Sequence, residues 1–249
     1  GINAEFINNN PNGLNINEKC GSTHLESIIE HSKKGSYDLC FAFDGDADRL
    51  LVVKDGEVID GDMMIYMTAI SKLDREKLDN NAVVITVMSN LGLKLALERH
   101  NIQYIEVDVG DKYVQAKLEE LDLSLGGEQS GHVIFFHDLN TGDGILTAIK
   151  MMTLYVGNGY SFDELKKDLA IFPQVLINVK VNDKKAVLGD EGLLALIEKE
   201  KALLGKEGRL LVRPSGTEPL VRVMTEARTL EICNGVCGRI KDHIEKLAL

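Results

Sequence analysis

Nowhere in the 249 residues does an apolar run approach the roughly 20 residues that a membrane span requires. Basic charge is scarce: 28 Lys and Arg stand against 39 Asp and Glu, for a formal net charge of −11. With no basic stripe, general binding to nucleic acid or to an anionic membrane is excluded. A pocket for a phosphorylated small molecule is not, because it needs only a few local cations. No Cys-x-x-Cys pair occurs among the 4 cysteines, which removes the usual thiol metal knuckle and redox motif. Cys40 lies in an apolar, strand-like run. Cys233 and Cys237 sit one helical turn apart, a spacing that packs well and forms disulfides poorly. Together with Cys20 they read as the reduced cysteines of a cytoplasmic enzyme. Only 4 prolines are present, and 44% hydrophobic with 27% charged residues is an ordinary globular composition with room for about two domains. No signal-peptide pattern opens the sequence, which excludes nothing upstream of Gly1.

Three loops stand out against this plain background. The segment Arg213-Pro-Ser-Gly-Thr-Glu-Pro219 lies between strand-like runs at 209–212 and 220–224. It crowds a guanidinium, two hydroxyls and a glycine into one turn, which is the inventory for gripping a phosphate dianion. Arg213, Ser215, Gly216 and Thr217 are the candidate phosphate contacts, and Arg222 offers a second cation. The bland alternative is a hairpin turn with an exposed arginine.

A second loop, Asp44-Gly-Asp-Ala-Asp-Arg49, follows the buried-strand run 39–43. Carboxylates at Asp44, Asp46 and Asp48 converge on one point if the chain curls. Hard oxygen ligands of this kind suit Mg²⁺. A solvated acidic turn is the bland alternative. An EF-hand is a poor fit, because Arg49 and Asp55 stand where that loop wants Gly and Glu. A haloacid-dehalogenase-type phosphatase, with Asp44 as nucleophile, stays open but weaker, since such enzymes usually place Thr or Val at the position of Asp48.

The third loop is Gly126-Gly-Glu-Gln-Ser-Gly-His132. Glu128 and Ser130 suit vicinal sugar hydroxyls. His132 suits a phosphate contact or acid–base work near neutral pH, although a His between Gly and Val is more often structural.

Between the loops, strand and helix signals alternate to about residue 170. A helix is expected over 23–34, stopped by Gly35. Asp55-Gly56 between apolar runs predicts a two-residue hairpin. Asp62 is expected to open a helix with Met64, Ile65 and Ile70 on its apolar side, and the polar stretch 74–81 reads as a linker. Ser89 or Asn90 suits the cap of a helix running to Arg99, and Ser161 opens a capping box with Glu164. Val175, Ile177, Val179 and Val181 alternate as a strand buried on one face. The last helix carries a stripe of Ile232, Val236, Ile240, Ile244 and Leu247. The expected fold class is α/β: two mixed-sheet α/β units, the first incomplete (1–76 and 77–171), then a small α+β domain with an antiparallel sheet (172–249).

The order and spacing of the three loops resemble the α-D-phosphohexomutase superfamily. The stretches 12–17, 20–24, 87–93, 109–111 and 141–144 support the likeness, which covers essentially the whole chain. Gln129 favours the branch acting on glucosamine phosphates over phosphomannomutase/phosphoglucomutase relatives, which often carry Met there. The resemblance implies a catalytic serine, phosphorylated in the active form, in a Ser-His-Asn-Pro-like loop of an N-terminal domain. No such segment occurs here, and Ser22 is only a partial lookalike. The chain is therefore expected to be the C-terminal part of a longer isomerase, with that missing domain as its partner and a hexosamine phosphate as its substrate. On this pattern Mg²⁺ sits on Asp44, Asp46 and Asp48. Arg49 contacts the transferring oxygens, Glu128 and Ser130 hold sugar hydroxyls, and the hairpin holds the unreacting phosphate. Lys112 and His132 are assigned proton or charge roles.

Overall fold

The computed structural model describes residues 2–73, 77–157, 161–216 and 218–247. It divides the chain into two compact units, Gly1–Ser89 with Leu93–Leu169, and Asn90–Gly92 with Ala170–Leu249. No helix among the described residues is long and apolar enough to cross a membrane.

The first unit starts with helix α1 (Glu26–Lys34) and an antiparallel sheet of β1 (Cys40–Phe43), β2 (Leu50–Lys54) and β3 (Glu57–Ile59). Asp55 and Gly56 close the second hairpin at φ 52° and 83°, the left-handed pair that matches strand twist. Helix α2 (Gly61–Leu73) follows. A parallel core comes next, with β4 (Ala82–Thr86), α3 (Leu91–Arg99), β5 (Gln103–Val107), α4 (Asp111–Leu121) and β6 (Leu125–Gly127). Strand β7 (Val133–Phe135) pairs antiparallel with β6, so the four-stranded sheet is mixed, in order β5-β4-β6-β7. Helices α5 (Gly144–Gly157) and α6 (Phe162–Lys166) complete the unit.

All five residues of β4 are buried, as a central parallel strand requires. Val83 and Ile85 join the core with α2, while Ala82 and Val84 face Val114 and Leu118 of α4. The one-sided stripe expected for α2 is not what forms. Met63, Met64, Ile65, Tyr66, Met67 and Ala69 are all buried, because this helix lies inside the core instead of on its surface. Its opening is also capped two residues earlier than expected: the Asp60 carboxylate accepts from Met63 N at 3.0 Å, and Asp62 is fully buried in the first turn. Part of the expected linker, residues 74–76, lies outside the described residues. Asp79–Asn81 form a single 3₁₀ turn.

In the second unit, β8 (Gln174–Lys180) precedes two helices, α7 (Lys184–Leu188) and α8 (Glu191–Leu204). Strands β9 (Gly208–Pro214) and β10 (Leu220–Ala227) form a hairpin, and α9 (Leu230–Lys246) closes the chain. The sheet is antiparallel in order β8-β10-β9. Val179, Val221 and Val223 pack against Val236, Ile240 and Ile244 of α9. The buried stripe of α9 runs through Cys233 and Cys237, and Ile232 is 44% exposed. The sequence stripe was therefore displaced by one residue at its start. Asn90, one of the two caps expected for α3, accepts from Gly92 N on its side-chain Oδ1 at 2.9 Å.

Candidate functional site

The turn between β1 and β2 is the acidic loop. Phe43 pairs with Leu50, so Asp44 to Arg49 must reverse the chain in six residues, and Ala47 takes a left-handed φ of 60° to do so. One carboxylate oxygen from each of Asp44, Asp46 and Asp48 then lies within 4.8 Å of the others. Burial and the neighbouring Asp44 carboxyl hold Asp48 above the usual carboxylate range, although His132 pulls it back. A close set of three hard anionic donors costs free energy unless a cation neutralises it, so the residues fit a small divalent ion such as Mg²⁺. Asp44 is oriented by accepting from the Arg49 N–H at 3.2 Å. The Arg49 guanidinium Nε lies 3.8 Å from Asp44 and 4.0 Å from Asp48. That Nε is buried and makes no hydrogen bond among the described residues.

The glycine-rich loop is the hairpin between β6 and β7, and it is built onto the acidic one. Leu50 N donates to Gly131 O at 3.1 Å. Gly131 has φ 96°, and a Cβ there would stand 2.2 Å from Leu50 O, so only glycine allows this approach. His132 is 2% exposed and its Nδ1 donates to Asp48 at 3.0 Å, which leaves its buried Nε2 without a partner. Glu128 is buried and accepts from Gly110 N at 3.0 Å. Ser130, two residues on, is exposed. Gln129 is held through side chain and backbone: its Nε2 donates to Asp60 at 3.2 Å and its backbone carbonyl accepts from Gly61 N at 3.0 Å. Lys112 stands exposed in the first turn of α4, its ammonium 4.8 Å from the Tyr113 ring centroid.

Two further segments complete this cluster, and their part was not derivable from spacing. Gly142 packs on the His132 ring, since a Cβ there would lie 2.3 Å from Nε2. Gly144, at the start of α5, donates its N–H to Ala47 O at 2.8 Å. Asp143 accepts from Leu146 N at 2.7 Å and caps α5. The acidic loop thus sits over a helix N-terminus, yet its own backbone carbonyl takes the contact. Ser22 N donates to Phe43 O at 3.1 Å, which brings the segment 20–24 against the entry to the loop. A cavity of about 840 Å³ opens there, lined by Asn15, Asn17, His24, Phe43 and Asp44 among others.

In the second unit, the β9–β10 hairpin sets Arg213 directly opposite Arg222. Like charges facing across a pair of strands repel, and an anion between them relieves the repulsion. Arg222 lies 3.5 Å from Glu218, and its buried Nε makes no hydrogen bond among the described residues. Ser215 is 3% exposed, and its hydroxyl accepts from Glu218 N at 3.3 Å. Gly216 is exposed, and a Cβ there would touch nothing within 4 Å. Thr217 lies outside the described residues. Lys184, which the sequence did not single out, donates to both Ser215 O and Glu218 O, at 2.7 and 3.1 Å.

Comparison with known proteins fits this geometry. Residues 60–172 match the phosphoglucomutase/phosphomannomutase alpha/beta/alpha domain III, and residues 176–243 match the phosphoglucomutase/phosphomannomutase C-terminal domain. The chain belongs to the phosphoglucomutase/phosphomannomutase family of phosphohexomutases. Among curated relatives it is 47% identical to a phosphoglucosamine mutase of Bacillus licheniformis, covering 94% of this chain and 53% of that protein. It is 46% identical to one of Lachnospira eligens, covering 98% and 55%. The chain thus spans about half the length of the curated relatives it matches. The fold is shared with Aspergillus fumigatus N-acetylphosphoglucosamine mutase, at TM-score 0.77 and 22% identity over 93% of this chain and 53% of that one. A second structure of that fungal enzyme, in complex with GlcNAc-6P and magnesium, matches at TM-score 0.74 and 24% identity over 94% and 58%.

Proposed function

We propose that this chain is the metal-, sugar- and phosphate-binding part of a mutase that interconverts glucosamine 6-phosphate and glucosamine 1-phosphate. The single observation that carries this reading is the His132–Asp48 hydrogen bond. It ties the sugar-type loop to the acidic loop, so that hydroxyl recognition and charge neutralisation belong to one rigid cluster. The 46–47% identity to phosphoglucosamine mutases supports glucosamine phosphate as the substrate.

The reaction exchanges a phosphoryl group between two sugar oxygens. A sugar hydroxyl attacks the phosphorus of a phosphoserine supplied by the rest of the protein; the P–Oγ bond breaks, and a bisphosphorylated sugar forms. The serine oxygen leaves with the hydroxyl's proton. The bisphosphate then presents its other end, and the serine oxygen attacks the phosphoryl group that the substrate brought in. That P–O bond breaks with the proton returning to the sugar oxygen, and the sugar keeps the phosphate it received from the serine. Bound Mg²⁺ supplies charge neutralisation for the transferring group; Asp44, Asp46 and Asp48 would hold it. Arg49 adds a cation beside them. Glu128 and Ser130 hold hydroxyls shared by both sugar orientations, and the Glu128 carboxylate is pre-aimed by Gly110 N. Arg213, Ser215, Gly216, Thr217 and Arg222 bind the phosphate that is not reacting, which orients the reacting end. Lys112 is the exposed group offered for proton or charge handling. His132, being buried, acts through Asp48. All four cysteines are free, as a reducing compartment such as the cytoplasm requires.

The test is calorimetric titration of glucosamine 6-phosphate with Mg²⁺ into the chain and its Arg213→Ala variant. Saturable binding is expected, weakened roughly 10- to 100-fold in the variant. Turnover is expected only when the serine-bearing part is added. Equal binding by both proteins would remove the hairpin from the site.

A further inference from the structure

The hairpin that offers Arg213 and Arg222 has a support that the functional reading does not use. Lys184 is the first residue of α7. Its backbone is fixed because Asp183 caps that helix, accepting from Lys185 N at 2.9 Å and Ala186 N at 3.0 Å. The strand leading to it is tied to the same hairpin, with Val181 N donating to Pro219 O at 3.1 Å. From this anchored base the half-buried Lys184 side chain reaches two carbonyls, Ser215 O and Glu218 O. These lie on either side of the turn, and each bond is charge-assisted.

The direction of those carbonyls has a consequence. The chain contains no cis peptide bond among its described residues. In a trans peptide the C=O and the following N–H point in opposite directions. Fixing the Ser215 carbonyl on Lys184 therefore turns the Gly216 N–H away from Lys184, toward the side of the turn that the lysine does not occupy. The Glu218 carbonyl is followed by Pro219, which has no N–H to aim, so Gly216 is the amide that this anchoring sets. The Ser215 hydroxyl takes part in the same arrangement by accepting from Glu218 N, and Ser215 N donates to Leu220 O at 2.9 Å. The opposed arginines supply charge, and the lysine supplies direction.

We propose that Lys184 is the positioning residue of the phosphate-holding hairpin: by anchoring the Ser215 and Glu218 carbonyls, it pre-aims the Gly216 amide at the phosphate of the bound sugar. This rests on the reading that the hairpin binds that phosphate. Lys184 itself need not touch the ligand. Its ammonium adds positive potential behind the turn, but the neighbouring Lys185 carries the same charge without any such anchor, so the two contributions separate by substitution.

The experiment uses the chain with Mg²⁺ and glucosamine 6-phosphate as the probe. Calorimetry compares the wild type with Lys184→Met, Lys184→Arg, Lys185→Met and Arg213→Ala. Amide spectra of the unliganded proteins follow Ser215, Gly216 and Glu218. Lys184→Met is expected to weaken binding roughly tenfold, to shift those amide signals before ligand is added, and to abolish the ligand-induced shift of Gly216. Lys184→Arg restores affinity to within about threefold of wild type, and Lys185→Met binds as wild type does. Lys184→Met binding like wild type while Arg213→Ala fails would overturn the proposal and leave the phosphate reading standing. Equal losses in Lys184→Met and Lys185→Met would also overturn it, by reducing the effect to charge. Absence of binding by wild type, or equal binding by Arg213→Ala, sinks the phosphate reading and this proposal with it. Unmoved amide signals in unliganded Lys184→Met refute the anchor whatever the ligand does.

Discussion

The acidic loop and the arginine hairpin are both strand-turn-strand devices, but they are held in different ways. The acidic loop belongs to a composite of segments distant in sequence. It rests on Gly131 through Leu50, on His132 through Asp48 and on Gly144 through Ala47. The hairpin is held within its own small unit, by its own turn bonds and by Lys184. A site that gathers mutually repelling carboxylates needs rigid walls from several sides, because its geometry is otherwise unfavourable. A site that grips a dianion needs only a well-aimed turn and cations.

The comparison breaks first where backbone meets backbone. Gly131→Ala places a Cβ against Leu50 O at a residue with φ 96°. It should cost about 3 kcal/mol or more and lower the midpoint of thermal unfolding by roughly 6 to 12 °C. A change below about 2 °C would mean that the two loops are not locked together. His132→Asn should come next. It leaves Asp48 without its oriented partner and should weaken Mg²⁺ binding roughly tenfold, read by the Mg²⁺ concentration needed to raise thermal stability; an unchanged concentration would show that the acidic loop holds its shape alone. Smallest is Gly216→Ala, where a Cβ meets nothing within 4 Å. Its effect on urea-induced unfolding should stay under about 0.5 kcal/mol. A large loss there would make the hairpin as tightly constrained as the acidic loop and erase the contrast.

Much of this was legible from residues alone. Asp55-Gly56 is a two-residue hairpin, β8 alternates as expected, and each of the three marked loops lies between paired strands or their immediate ends. Such signals are local, set by turn chemistry and side-chain period. The misjudged helix α2 shows the limit. Its composition is apolar enough to suit a stripe or a buried rod, and only the layers packed around it decide between them. Residues acting at long range were equally unreadable. Gln129 served as a branch marker in the sequence, while the structure shows it clasped to Asp60. Lys184 carried no motif at all, and Gly142 gave no sign that it lies against an imidazole ring.

The sequence by itself determined the inventory: three carboxylates in one turn, a glycine-rich loop with Glu and His, and arginines flanking a Ser-Gly-Thr turn. Those depend on residue type and short spacing, which the chain states directly. Only the tertiary structure decided which groups meet. His132 reaches Asp48 across 84 positions, and Lys184 reaches Ser215 across 31. Contacts of that separation are chosen by sheet pairing and close packing of the whole unit, where no local propensity has a say.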